Sequence, residues 1–180
     1  AYMHEQGVVH GKVAPSNILV LPDNSSKLMR IEIQEQYQDW VAEEESIPYQ
    51  APEMLRGDTA DIQTDIYSVG AIFYHLVTGQ VPYPADTKEK VLEQILSGSL
   101  IRPTKLVKGL RFIYELAILK ALVVDPSKRF PDMATFAVAL QDLSTGKKSM
   151  QITRKKLSKL WIGVIAVTVF FVWFILQGSG

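Results

Sequence analysis

The residues able to do chemistry are few. The 180-residue chain has no cysteine, which excludes thiolate nucleophiles, disulfides and cysteine-ligated zinc. Its three histidines, His4, His10 and His75, show no metal-site spacing. What remains is the octapeptide His10-Gly11-Lys12-Val13-Ala14-Pro15-Ser16-Asn17, followed by the apolar run Ile18–Leu21. It places an imidazole, an ammonium and a carboxamide within one short loop. An ammonium accepts a proton near neutral pH only if its pKa falls by several units, and such a fall needs deep burial.

The elements that must position this loop can be read from periodicity and turn chemistry. Residues 1–7 read as the end of a helix stopped by Gly7. Ile18–Leu21 and Lys27–Ile33 are short strand candidates, joined by the turn residues Pro22-Asp23-Asn24-Ser25-Ser26. Gln34–Gln50 is polar and acidic and reads as an exposed loop. Asp65–Thr78 carries Ile66, Val69, Phe73, Leu76 and Val77 at helical spacing and is closed by Gly79. Further helices are expected over Thr87–Leu96, with Val91, Leu92, Ile95 and Leu96 on one side, then over Phe112–Val124 and Met133–Leu143. The expected fold class is mainly α, a helical body with a small β-hairpin.

A formal charge of zero hides an asymmetry. The six basic residues of 147–159 leave 13 basic against 19 acidic residues in 1–146, a net charge of −6. Leu160 to Leu176 then runs seventeen residues without a charge. As a helix it would span roughly 25 Å at about 1.5 Å per residue, the short end of what a bilayer core of about 30 Å requires. The stem of Lys159 can extend it by snorkelling. Trp161 and Trp173 lie near its two ends, where interfacial aromatics are common. A buried core helix would need an amphipathic partner, and none follows in the sequence. The positive-inside rule puts residues 1–159 in the cytoplasm and the C-terminus outside, as a single-pass membrane protein, with 147–159 close to anionic lipid. Absence of cysteine agrees with a cytoplasmic body. Ala1 and the end at Gly180 read as cuts in a longer protein.

Four blocks carry a resemblance. Tyr2–His10 enters a loop in which His10, Pro15 and Asn17 fit the H-R-D-L-x-x-x-N frame. Ser46-Ile47-Pro48-Tyr49-Gln50-Ala51-Pro52-Glu53 ends in A-P-E. Thr64-Asp65-Ile66-Tyr67-Ser68-Val69-Gly70 and Asp125-Pro126-Ser127-Lys128-Arg129-Phe130 follow in order. Over about residues 1–143 the chain resembles the C-terminal lobe of eukaryotic-like Ser/Thr protein kinases, including membrane-anchored bacterial ones. The resemblance implies a domain plan: 1–143 a kinase-like C-lobe with the N-lobe absent from this chain, 144–159 a basic juxtamembrane linker, 160–176 a transmembrane helix and 177–180 a short non-cytoplasmic tail. It also implies framework roles. Glu53 should pair with Arg129, Asp65 should accept hydrogen bonds from the catalytic-loop backbone, and His10 should pack beneath it as structure rather than as a base.

Against that family the chemistry departs. The resemblance puts Lys12 where the general-base Asp should stand and Ala14 where a lysine should meet the transferred phosphate. Gly11 replaces the arginine that usually docks an activating phosphate. Aligning Lys27-Leu28-Met29 with the usual strand puts Arg30-Ile31-Glu32 on D-F-G, so a guanidinium replaces the metal-binding carboxylate. At about 4 Å and an effective dielectric near 20, each unit-charge pair is worth about 4 kcal/mol, so this exchange is prohibitive for a divalent ion. Rescue by Glu32 would need a shift of about 7 Å along the chain. Asn17 survives as a vestigial cofactor ligand. Between Arg30 and Glu53 there is no threonine and one serine, Ser46; Tyr37 and Tyr49 are the tyrosines. This acidic stretch reads as a solvated loop, or as a docking surface for a basic partner.

The expected function is a membrane-anchored pseudokinase that signals through protein partners, with no catalytic residue, no bound metal and no nucleic-acid partner. The alternatives are an active or weakly active Ser/Thr kinase using unusual residues, or a nucleotide-binding sensor. Mg-ATP enters only under these.

Overall fold

The computed structural model describes residues 1–23, 25–29 and 46–141. Arg30 and Glu32, the acidic stretch 34–45, the basic linker and the apolar segment 160–176 lie outside the described residues. Among the described residues, no helix is long and apolar enough to cross a membrane.

The chain opens with α1 (Tyr2–Glu5) and turns at Gly7, whose φ of 71° is the left-handed stop expected from the sequence. A 3-10 turn over Pro15–Asn17 leads into β1 (Ile18–Val20), which pairs antiparallel with β2 (Ser26–Leu28), Leu19 opposite Lys27. In the connecting turn the Asp23 carboxylate accepts bonds from the Ser25 hydroxyl and N–H. These bonds hold its carboxyl below the ordinary value.

Ser46–Gln50 corrects the expectation of an exposed loop. Ile47–Tyr49 forms a 3-10 turn with Ile47 and Tyr49 buried. The acidic composition upstream obscured an apolar anchor of two side chains. Two short helices led by proline at N1 were also missed, α2 (Pro52–Leu55) and, later, α5 (Pro103–Leu106). Four residues are too few to show a period.

The central element is α3 (Ile62–Thr78). It starts earlier than its apolar pattern suggests, because Asp61 and Thr64 form a reciprocal capping box. It ends where expected, at Gly79 with φ 75°. Its interior lies against both apolar clusters of the core, Tyr67, Ala71 and Tyr74 in one and Ile66 in the other. Around it stand α4 (Lys88–Leu96), α6 (Phe112–Ala121) and α7 (Met133–Gln141). Val91 and Ile95 are buried as expected, but Leu96 is exposed at the helix end. Helix α6 stops three residues short of Val124. Its approach to α3 is close: a Cβ on Gly70 would come within 2.6 Å of Ala121 Cβ. Gly70 therefore acts by lacking a side chain.

Candidate active site

Two polar constructions hold the loop His10–Asn17 and the A-P-E segment on α3. The first centres on Asp65, in the first turn of α3 and 2% exposed. Its Oδ2 accepts from the backbone N–H of His10 at 2.9 Å and from His4 Nε2 at 2.8 Å; its Oδ1 accepts from Gly11 N–H at 2.8 Å. A buried carboxylate is tolerable only when so satisfied. His10 continues the network. Its Nδ1 accepts from Lys12 N–H at 3.2 Å, which leaves Nε2–H to donate to Met29 O at 3.1 Å. Both ring nitrogens are thereby committed to backbone, a structural use. Asn17 Nδ2 donates to Lys12 O at 2.6 Å and closes the loop from its far side. His4 could not be foreseen, since nothing in a helical histidine six residues before His10 announces a carboxylate on another helix.

The second construction is the Glu53–Arg129 pair, fully interior. Arg129 Nη1 and Nη2 donate to Glu53 Oε1 and Oε2 at 2.6 and 2.8 Å. The other three N–H groups reach Gln63 O (2.9 Å), Val123 O (2.8 Å) and Val124 O (3.1 Å). All five guanidinium donors are thus used. Thr64 Oγ1 donates to Glu53 Oε1 at 3.3 Å, which links the capping box of α3 to the pair. The guanidinium also lies 4.9 Å from the Tyr67 ring centroid. Burial pushes the Tyr67 phenol well above its ordinary value, more strongly than the cation beside it lowers it. Arg129 is delivered by a 3-10 turn, Pro126–Lys128, whose start Asp125 caps by accepting from Ser127 N–H and Oγ–H.

The A-P-E segment is fixed further by Tyr49, whose hydroxyl lies 2.6 Å from His75 Nδ1 with the rings stacked. Burial lowers the His75 pKa. Ser46 Oγ accepts from Gln50 Nε2 at 3.0 Å. A third carboxylate, Glu115 on α6, went unnoticed in the sequence. It accepts from the Thr104 N–H at 2.9 Å and the Thr104 hydroxyl, and from Arg102 Nη1 at 3.3 Å, tying α5 to α6. Burial raises its pKa, but the Thr104 bonds and the Arg102 charge outweigh this and bring it below the ordinary value.

On this scaffold the chemical positions stand as follows. Lys12 is exposed, so the deep burial that base chemistry by an ammonium would require is absent there. Ala14 is 1% exposed and belongs to the apolar core cluster that includes Val13, Ile47 and Tyr67. Gly11 has φ 73°, and a Cβ there would meet Ala60 Cβ at 3.0 Å. An arginine would be strained at that position. What this loop offers a magnesium–nucleotide complex is an exposed ammonium, a buried methyl and one amide oxygen. A divalent ion bridged to phosphates needs carboxylate or comparable oxygen ligands, so these residues do not fit it.

Known proteins place this arrangement. Serine/threonine-protein kinase PknB of Mycobacterium leprae is 28% identical over 152 residues, covering 81% of this chain and 24% of that protein. Its namesake from Mycobacterium tuberculosis is 29% identical over 153 residues, with the same shares. A probable serine/threonine-protein kinase PknB of Bifidobacterium longum is 28% identical over 142 residues, 75% of this chain and 21% of the relative. The chain spans about a quarter of the length of these relatives or less. Residues 1–137, most of the chain, match the protein kinase domain, and the chain belongs to that family.

Proposed function

We propose that this chain is the C-terminal lobe of a pseudokinase: a kinase-like domain that does not transfer phosphate, signals through protein contacts and is held at a membrane by residues 160–176. The observation that carries the reading is a division within one loop. Asp65 and His10 hold its main chain, while the side chains at 12 and 14 are an exposed ammonium and a buried methyl. General-base assistance is typically worth about 10²–10⁴-fold, and Lys12 removes it. Membrane attachment is supported by the uncharged run 160–176 behind a basic segment. Residues 1–159 would face the cytoplasm and the C-terminus the outside.

The test is transfer of radiolabelled phosphate from ATP by the full-length protein, with Mg²⁺ and with Mn²⁺. The expected result is no transfer above background. Transfer that Lys12→Ala or Asn17→Ala abolishes would overturn the reading in favour of an active kinase with unusual residues, the activity printed for the relatives. Retention of Asn17 favours a second reading, a nucleotide-binding sensor. This requires a melting temperature that rises with ATP concentration. Deleting residues 160–180 should move the protein to the soluble fraction.

A further inference from the structure

Helix α6 carries apolar side chains on every side, and only part of it is covered. Glu115, Ala117, Ile118 and Ala121 are buried. At about 100° per residue, Phe112, Ile113, Leu116 and Lys120 fall together on the opposite side. Phe112 is 59% exposed, Ile113 39% and Leu116 46%. Isolated apolar residues on a surface need no explanation, but three large ones on adjacent turns of one helix form a patch that does.

The surroundings of the patch are basic. Lys108 and Arg111 are exposed in the turn that enters α6, and Lys105 is exposed on α5, which Glu115 ties to the flank of α6. Lys120 closes the far end, its ammonium 4.5 Å from the Phe130 ring centroid. Between residues 101 and 120 the one acid is Glu115, buried and committed to Thr104 and Arg102. An otherwise acidic body, with net charge −6 over residues 1–146, thus has one face where large apolar side chains emerge among bases. Apolar side chains ringed by Lys and Arg are the composition that enters the headgroup region of an anionic bilayer.

We infer that this α5–α6 face lies against the anionic membrane leaflet, inserting Phe112, Ile113 and Leu116 among the headgroups. The inference rests on the membrane-anchored reading above, and the length of the linker supports it. Eighteen residues separate Gln141 from Leu160. At no more than about 3.3–3.6 Å each they reach about 60 Å, several times the radius of gyration of about 14 Å expected for a body of this size. A link of that reach would let any face meet the bilayer and would raise the local lipid concentration, so weak contacts would suffice to choose the face.

Absence of cysteine makes single-site labelling direct. The full chain carrying Ile113→Cys with a polarity-sensitive dye is reconstituted in phosphatidylcholine vesicles, with and without phosphatidylserine. A control probe goes at exposed Glu89→Cys on α4, which packs on α2. With phosphatidylserine the probe at 113 should shift to the blue and be quenched by brominated acyl chains, while the probe at 89 stays in water. Combined Lys105→Gln and Lys108→Gln should lower the docked-to-free ratio on the order of 25-fold, about fivefold per base. A probe at 113 that stays in water in a chain resisting carbonate extraction overturns this inference and leaves anchoring intact. Loss of the chain on carbonate extraction overturns anchoring itself. A blue shift that appears in detergent and grows with protein concentration identifies a second copy as the occupant, and also overturns the inference.

Discussion

Arg129→Ala tests the framework most severely, and its magnitude follows from the contacts. The guanidinium is wholly interior and feeds five acceptors. Truncation leaves the Glu53 carboxylate buried with one hydrogen bond at 3.3 Å from Thr64, and removes the Arg129 donor from three carbonyls. Breaking a buried pair by removing one partner costs about 3–5 kcal/mol, most of it from the charge left behind. Against a total stability of about 5–15 kcal/mol this is a large share. At about 2–4 °C per kcal/mol for a chain of this size, melting should fall on the order of 10 °C. Glu53→Ala should cost a similar amount, because the guanidinium is then the stranded ion. The assay is urea unfolding of the full chain in detergent micelles, followed by circular dichroism, with thermal melts alongside. A double-mutant cycle isolates the pair. Glu53→Gln with Arg129→Met strands no charge, so the double variant should be more stable than the sum of the two losses by well over 0.5 kcal/mol. Additivity within that margin, or an unchanged midpoint for Arg129→Ala, would refute the reasoning. Lys12→Ala is the control and should leave the midpoint in place.

Three other outcomes follow from the geometry. Asp65→Asn places an amide where both carboxylate oxygens accept bonds, so it should cost at least about 2 kcal/mol and speed hydrogen exchange at the His10 and Gly11 amides. Gly70→Ala drives a methyl to 2.6 Å from Ala121 Cβ and should destabilise by about 1–3 kcal/mol, with partial rescue by Ala121→Gly. His75 has a pKa below 6.5 through burial, so the unfolded chain binds its proton first as pH falls. Its contribution is full above pH 6.5 and is lost as pH drops through that value towards the folded pKa. Unfolding midpoints of His75→Gln should therefore vary less between pH 7.5 and pH 5.5 than those of the unaltered chain; equal slopes would refute this.

Legibility of the fold tracked the range of the interactions. Helix α3 could be read because its apolar spacing and Gly79 are local signals. Its start could not, since Asp61 and Thr64 cap it by side-chain bonds before the apolar pattern begins. Burial of Ile47 and Tyr49 was hidden by acidic neighbours. On α6, dense apolar composition marked a helix but not its outward side, where Phe112 and Leu116 stand, because apolar residues on every side say nothing of which side has a partner. At the site, family-like spacing pointed to Glu53, Asp65 and Arg129, but His4 and Glu115 act through partners 61 and 11–13 residues away that no local pattern marks.

The geometry of the loop would let it lose its chemistry and remain in place. Every bond that shapes residues 10–12 engages main-chain atoms: the N–H groups of His10 and Gly11 on Asp65, the Lys12 N–H on His10 and the Lys12 carbonyl under Asn17. None engages the side chain of residue 12, which points to a site where substitution is close to free in stability. Ala14, by contrast, is enclosed by the core, so a lysine could return there only by displacing packed neighbours. Gly11 accepts no Cβ without strain. An aspartate at 12 is therefore cheap in stability, whereas a lysine at 14 or an arginine at 11 is not. Lys12→Asp should fold as well as the unaltered chain and still transfer no phosphate. A melting temperature lowered by several degrees in Lys12→Asp would show that the side chain at 12 takes part in the framework after all.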